Sequence, residues 1–333
     1  MKEYIIANSS REDVAVLTDK CSIDIDVGKD NDFQLIIPLS EYNPDIHKAG
    51  NILYCLGTEY GGILHNPQVD TKSNTITFTG DTPRGMLAKK IIQPESGKDY
   101  ATTGTTPIGT IIPGLLLQEQ YGYDGLLVAP LVTQIPIVYN CNYDRYCSIL
   151  SGVSKVFESY GYKIQIKAEY DSDNKVVWKI CTVPIVDYAE QIEISQDANV
   201  NFVIKQQTYK YTHMICAGKG ELKDRLIVHL YLQEDGTIGT TKYYTGIDEQ
   251  MYFYDYSSAE SESDLISSGK LKFKEINASD TQKMTIDNFN VEVGDIVGGR
   301  EYHTRMTIRE KVTQKIYKYN YGVESIEYKI GSD

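Results

Sequence analysis

Cys21-Ser-Ile-Asp-Ile-Asp-Val27 alternates apolar and polar side chains without a break. A period of two places Cys21, Ile23, Ile25 and Val27 on one face of a strand, and Ser22, Asp24 and Asp26 on the other. A helix would scatter both sets around its axis, so this stretch has to be a half-buried strand. The same pattern returns near the other end of the chain. Val291, Val293 and then Ile296, Val297 read as two short strands around a Gly294-Asp295 turn, with Gly298-Gly299 expected in turn or bulge geometry. Val312 to Tyr319 and Val323 to Ile330 read as a hairpin closed by Asn320-Tyr321-Gly322. Nothing in this block can act as a nucleophile or a general acid or base; it reads as structure.

Further strands are expected at Tyr4–Ile6, Val14–Leu17, Phe33–Leu39, Ile52–Leu56, Gly61–Leu64 and Thr75–Thr79. A short helix should follow at Thr82–Lys90, with Thr82 as cap and Pro83 in the first position. Thr106-Pro107 opens a second, which Pro113 and Gly114 should interrupt. The clearest helix spans Tyr143–Tyr160: Tyr146, Ile149, Leu150, Val153, Val156 and Phe157 keep helical spacing, and Gly161 sits where a terminating glycine belongs. Strands resume at Lys163–Ala168, Val176–Cys181, Asn201–Gln206, Thr212–Ala217, Leu226–Leu232 and Thr240–Tyr244, and Ser257–Ile276 reads as a solvated helix. The class is therefore α+β and predominantly β. Three parts are expected: an N-terminal β domain over 1–100, a middle α/β segment over 101–198 and a C-terminal β domain over 199–333.

The net charge of −13 and a pI near 4.9 argue against a nucleic-acid binder, which needs clustered Lys and Arg for phosphate contacts. The repulsion of DNA that follows would be harmless, or even useful, in a protein that DNA must slide past. There are 27 tyrosines against 7 phenylalanines, a bias that fits half-buried strands and wet subunit interfaces. Cys21, Cys55, Cys141, Cys147, Cys181 and Cys216 are scattered, with neither disulfide-framework nor metal-ligand spacing. They are expected as reduced thiols of a protein made in cytoplasm. The opening residues carry too short an apolar run for a signal peptide, and no later stretch reads as a membrane span.

A search for chemistry returns little. His47, His65, His213, His229 and His303 stand alone, with no HExxH and no carboxylate at a ligand-like offset. Gly218-Lys-Gly-Glu221 lacks the Walker spacing and places an anion where phosphate would sit, so it reads as a turn. Asp24 with Asp26 reads as the solvated side of a strand. An accidental carboxylate pair of the glycosidase kind stays open among 46 acidic residues. No catalytic, cofactor-binding or metal site is expected.

Gly218-Lys-Gly-Glu-Leu-Lys-Asp-Arg-Leu-Ile-Val-His-Leu-Tyr-Leu232 followed by Asp235-Gly236 resembles tail-tip hub proteins. These belong to long-tailed phages, prophages and phage-tail-like particles of Gram-positive bacteria. Val293 to Glu301, Val312 to Gly331, Cys21 to Ile37 and Ile76 to Ile92 fit the same family in the same order. The resemblance implies two tail-tube-like β-barrel domains per subunit with a helix-containing middle segment. It also implies a homotrimeric ring that adapts a hexameric tail tube to a spike or fibre and lines or closes the channel. The implied partners are the tube or distal tail protein, the spike or fibre and other baseplate proteins. DNA would be passing cargo only, and the protein would not insert into membrane by itself. Its place would be the virion tail tip or a tail-like particle, assembled in bacterial cytoplasm. Asp24 and Asp26 are then candidates for the channel wall. A tail-associated cell-wall hydrolase and a carbohydrate-binding receptor module are the alternatives.

Overall fold

A computed structural model describes residues 2–133, 136–189, 200–202, 210–277, 282–286, 291–300 and 307–331. Two compact units divide the chain: Met1–Val203 joined by Lys283–Gly331, and Ile204–Gln282 with Ser332–Asp333.

The strand Ser22–Val27 forms as its alternation requires, and Ile23, Ile25 and Val27 are buried. It lies inside a nine-stranded sheet of the first unit. On one side it pairs antiparallel with Asp32–Pro38, which pairs in turn with Thr75–Asp81 and then His65–Asp70. On the other side it pairs with Thr307–Asn320, in the register Ile25↔Tyr317. That long strand forms the expected hairpin with Val323–Ile330 and also carries Ile296–Arg300. Beneath the sheet Ile23, Ile25, Phe33, Leu35, Ile37, Ile76 and Phe78 pack with Tyr317 and Tyr319 into one core. Each such side chain contributes about 1.5–3 kcal/mol by leaving water.

A second core in the same unit holds Trp178, Phe157, Ile164, Ile166, Val153 and Leu87. Helix Ile149–Ser159 packs there beside the hairpin Tyr162–Tyr170/Val176–Pro184. The small sheet Asp13–Val16, Ile5–Ala7, Ile52–Tyr54, Gly61–Ile63 serves both cores. Ile6 and Leu53 belong to the first core, whereas Ile5, Ala7, Ile52 and Tyr54 belong to the second. Burial on both faces explains why Ile5–Ala7 and Ile52–Tyr54 read as unbroken apolar runs, whereas the edge strand Asp13–Val16 is largely exposed.

In the second unit a sheet ordered Ile238–Gly239, Ile227–Leu232, His213–Ala217, Met251–Asp255 is covered on one face by helix Glu262–Asn277. Met251–Asp255 runs parallel to its neighbour. The helix lies close because Gly269 faces the sheet: a Cβ there would stand 2.7 Å from both Cys216 Sγ and Leu230 Cδ1.

The class is α+β with strands predominating, and the sheets formed by the described residues are open rather than closed barrels. Several boundaries move. The main helix starts at Ile149, not Tyr143, because Ser148 Oγ accepts the Ser151 N–H and caps it there. Tyr146 has φ +58° and is exposed, so its helical spacing was coincidental. Pro113 is tolerated in helix Ile111–Leu116 because it lies in the first turn, where no intrahelical N–H bond is needed. Likewise Ser261 starts the solvated helix later than expected. Gly298 and Gly299 pair in regular register with Arg309 and Ile308 inside Ile296–Arg300, so neither the turn nor the bulge exists there. Thr240–Tyr244 is not a strand; the strand comes later, at Met251–Asp255. Most of the expected Asn201–Gln206 strand, and His303, lie outside the described residues.

Candidate functional site

The Gly294-Asp295 turn of the C-terminal motif forms as its sequence requires. Gly294 has φ +96°, a backbone region that favours glycine. Its N–H donates to Val312 O at 2.8 Å, and the Val312 N–H returns a 2.8 Å bond to Asp295 O. The turn aims the Asp295 carboxylate inward. There it accepts from Val186 N and Glu292 N, each at 3.0 Å, and pairs with Lys163 Nζ at 2.7 Å. Both partners are buried. Glu292 stands 4.0 Å from the same ammonium. Close by in sequence to Lys163, the Ile164 carbonyl accepts from buried Arg84, whose Nε donates to Glu59 at 2.6 Å. Lys315 donates to Val291 O at 3.3 Å and lies over the Tyr60 and Tyr328 rings. Burial lowers its ammonium below the ordinary lysine range, with Glu59 and Glu292 pulling the other way. Asp295 with Lys163 and Glu59 with Arg84 are buried ion pairs, while Glu292 is partly exposed. The buried pairs can hold a fold in place.

The two candidate wall residues behave differently. Asp24 is exposed and stands 3.5 Å from Lys318 across the strand pair. Asp26 anchors the adjoining turn, its Oδ1 accepting from Lys29 N at 3.3 Å and Asp30 N at 3.0 Å, and Oδ2 accepting from Gln314. Gly218 to Glu221 forms a turn, with Gly220 at φ +110° and Lys219 paired to Glu260. All six cysteines are free thiols. Among the described residues no group of three His, Cys, Asp or Glu side chains is placed to hold a metal ion, and no helix is long and apolar enough to cross a membrane.

Two histidines that look isolated in the sequence meet in the second unit. His213 Nδ1 is 2.8 Å from Glu249 Oε1, and its Nε2 is 2.8 Å from His229 Nδ1. Lys242 Nζ donates to the other Glu249 oxygen at 2.6 Å, and the Tyr231 ring stacks on His213 at 4.3 Å. His213 is buried and His229 exposed. Burial lowers the His213 imidazole below the ordinary histidine range, although its bond to Glu249 acts in the opposite sense. Cross-strand register is the signal that unites the pair: Tyr231 lies opposite His213, and His229 lies opposite Ile215.

A cleft of about 420 Å³ opens in the first unit. Its floor is Ile92, Leu115, Tyr121 and Tyr143, all buried, and its rim carries Gln93, Glu95, Lys98, Tyr100, Thr102 and Asn140. Glu95 is the only carboxylate among the lining residues, so the cleft lacks the pair a glycosidase needs.

No protein-family model matches the chain, and no curated protein sequence matches it. Solved structures do. A tail protein from Neisseria meningitidis MC58 aligns with a TM-score of 0.51 at 10% identity, covering 100% of this chain and 97% of that one. The 43 kDa tail protein of prophage MuSo2 from Shewanella oneidensis aligns with a TM-score of 0.53 at 9% identity, covering 98% of each chain. At this identity the likeness is one of fold, and it runs from end to end.

Proposed function

We propose that the chain is a structural component of a phage tail or tail-like particle, and within it the hub at the tail tip. Three copies form a ring that adapts the hexameric tube to the spike or fibre and lines or closes the channel. The observation that carries this reading is the end-to-end match to tail proteins, over 98–100% of this chain. The buried Asp295–Lys163 pair, with two backbone N–H groups donating to the carboxylate, supports it, because such a pair suits a rigid scaffold better than a reaction centre. The partners are the tail tube or distal tail protein, the spike or fibre, and other baseplate proteins, with DNA only as cargo; the protein resides at the tail tip and is not an enzyme. A net charge of −13 per chain suits a wall that phosphates must pass without sticking, and exposed Asp24 is one candidate for it. Native mass spectrometry at micromolar concentration, with the tube protein present, should return a trimer. A monomer under those conditions overturns the ring.

The cleft favours one second reading, a saccharide-binding role. Tyr100 is half exposed and stands among the amides of Gln93, Gln118 and Asn140 and the hydroxyl of Thr102, a set suited to stacking on and hydrogen-bonding a sugar ring. Calorimetric titration with solubilised cell-wall polysaccharide separates the readings. Heat of binding that Tyr100→Ala abolishes supports a receptor role; no heat leaves the structural reading alone.

A further inference from the structure

For a neutral pair of imidazoles, the contacts around His213 set the order of the hydrogens. Glu249 is a carboxylate, held as such by Lys242 Nζ at 2.6 Å, and so it only accepts. His213 must therefore carry its hydrogen on Nδ1, 2.8 Å from Glu249 Oε1. In the neutral imidazole Nε2 is then bare, and the 2.8 Å contact to His229 is a bond donated by His229 Nδ1–H. His229 in turn keeps a bare Nε2, and its side chain is exposed. Three residues from three segments thus form one directed chain, ending at a surface lone pair backed by a carboxylate.

We propose that Glu249, His213 and His229 form a single-proton switch: acidification places one positive charge on the face of this sheet turned away from the helix and leaves the fold of the unit intact. A proton entering at His229 Nε2 preserves every bond in the chain, because His229 still donates from Nδ1 and His213 still donates to Glu249. A second proton would have to sit on His213 Nε2, where it would oppose the His229 Nδ1–H and break that bond. The two imidazoles therefore take up one proton as a pair. Other groups facing His213 do not alter the count. Tyr231 stacks on it, Lys242 is tied to Glu249, and Thr212 bonds the Asp248 carbonyl. From the neighbouring parallel strand Met251 lies opposite His213 and Phe253 opposite Ile215, neither of which titrates. Asp255, farther along, is paired with Arg225. The new charge appears on the face that carries exposed Ile227 and Phe253, adding one positive charge where Lys242 is balanced by Glu249 and Arg225 by Asp255. Histidine is the side chain that changes charge within about pH 5–8, so the change falls in a range that cells and their surroundings span. The inference does not depend on the tail assignment.

The test uses the full-length protein with nitrogen-15 histidine, followed by imidazole NMR from pH 8 to pH 5. At pH 8 His213 should show its hydrogen on Nδ1. As pH falls His229 should become imidazolium while His213 stays neutral, with the amide spectrum of the unit unchanged. His229→Gln, at an exposed site, assigns the signals and should lower proton uptake over this range by one. Glu249→Gln replaces the accepting carboxylate with an amide that can donate, and should move the remaining titration to lower pH. The proposal is overturned if both histidines become imidazolium together, if His213 carries its hydrogen on Nε2 at pH 8, if His229→Gln takes up as many protons as the parent, or if Glu249→Gln leaves the titration in place.

Discussion

At the scale of single residues, Asp295 does the most with the fewest atoms. Its carboxylate accepts two backbone N–H groups and pairs with a buried ammonium, while its carbonyl closes the turn to Val312. Asp295→Ala leaves Lys163 charged and buried with only Glu292 at 4.0 Å, so stability should fall by about 3–5 kcal/mol. The urea midpoint measures this, and an unshifted midpoint refutes it. Gly294→Val should cost about 1–3 kcal/mol, because valine resists φ +96° and its Cβ would stand 3.2 Å from Lys163 Cβ. A melting temperature equal to that of the parent would contradict this. Val293-Gly-Asp announces the turn in the sequence; nothing there announces Lys163, because a buried ion pair is settled by tertiary packing. The same limit hid the meeting of His213 with His229 and Glu249.

At the scale of elements, legibility followed burial. Strands with one dry face, such as Ser22–Val27 and Val323–Ile330, declare themselves by period two. Met251–Asp255 does not: Tyr252 and Tyr254 pack towards the helix while Met251 and Phe253 are exposed, so both faces carry apolar side chains and no alternation shows. His65–Asp70 was equally silent, being exposed at every position, and Pro67 weakens it as a strand signal. Glu262–Asn277 was recognisable as a helix, but its closeness to the sheet rests on Gly269. Gly269→Leu should force Cys216 and Leu230 aside and lift the helix, costing about 1–3 kcal/mol. Amide hydrogen exchange in Glu262–Asn277 and His213–Ala217 should speed up; unchanged protection would show that the contact can be rebuilt.

At the scale of the whole molecule, the tyrosine bias sets how the protein meets alkali. Tyr4, Tyr60 and Tyr143 are each about 3–4% exposed, and burial pushes all three phenols far above their ordinary value of 10.0. Below pH 10 both folded and unfolded chains keep these phenols neutral, so they add no pH dependence to stability. Above pH 10 only the unfolded chain ionises, so each tyrosine lowers stability by about 1.4 kcal/mol per pH unit, and the three together by roughly 4. Absorbance at tyrosinate wavelengths and far-ultraviolet dichroism should therefore change together in one steep transition above pH 10. Gradual ionisation with the fold intact would mean that these rings are accessible. The pairing of Ser22–Val27 with Thr307–Asn320 has another kind of consequence. Val27 meets Lys315, and bacterial and other ribosomes add roughly 5–20 residues each second. The first strand of the central sheet therefore waits about a quarter of a minute to a minute for its neighbour to be made. During that wait Ile204–Gln282, whose core is drawn from its own residues, can fold behind it, while the unpaired edge of Ser22–Val27 is a place for a chaperone to bind.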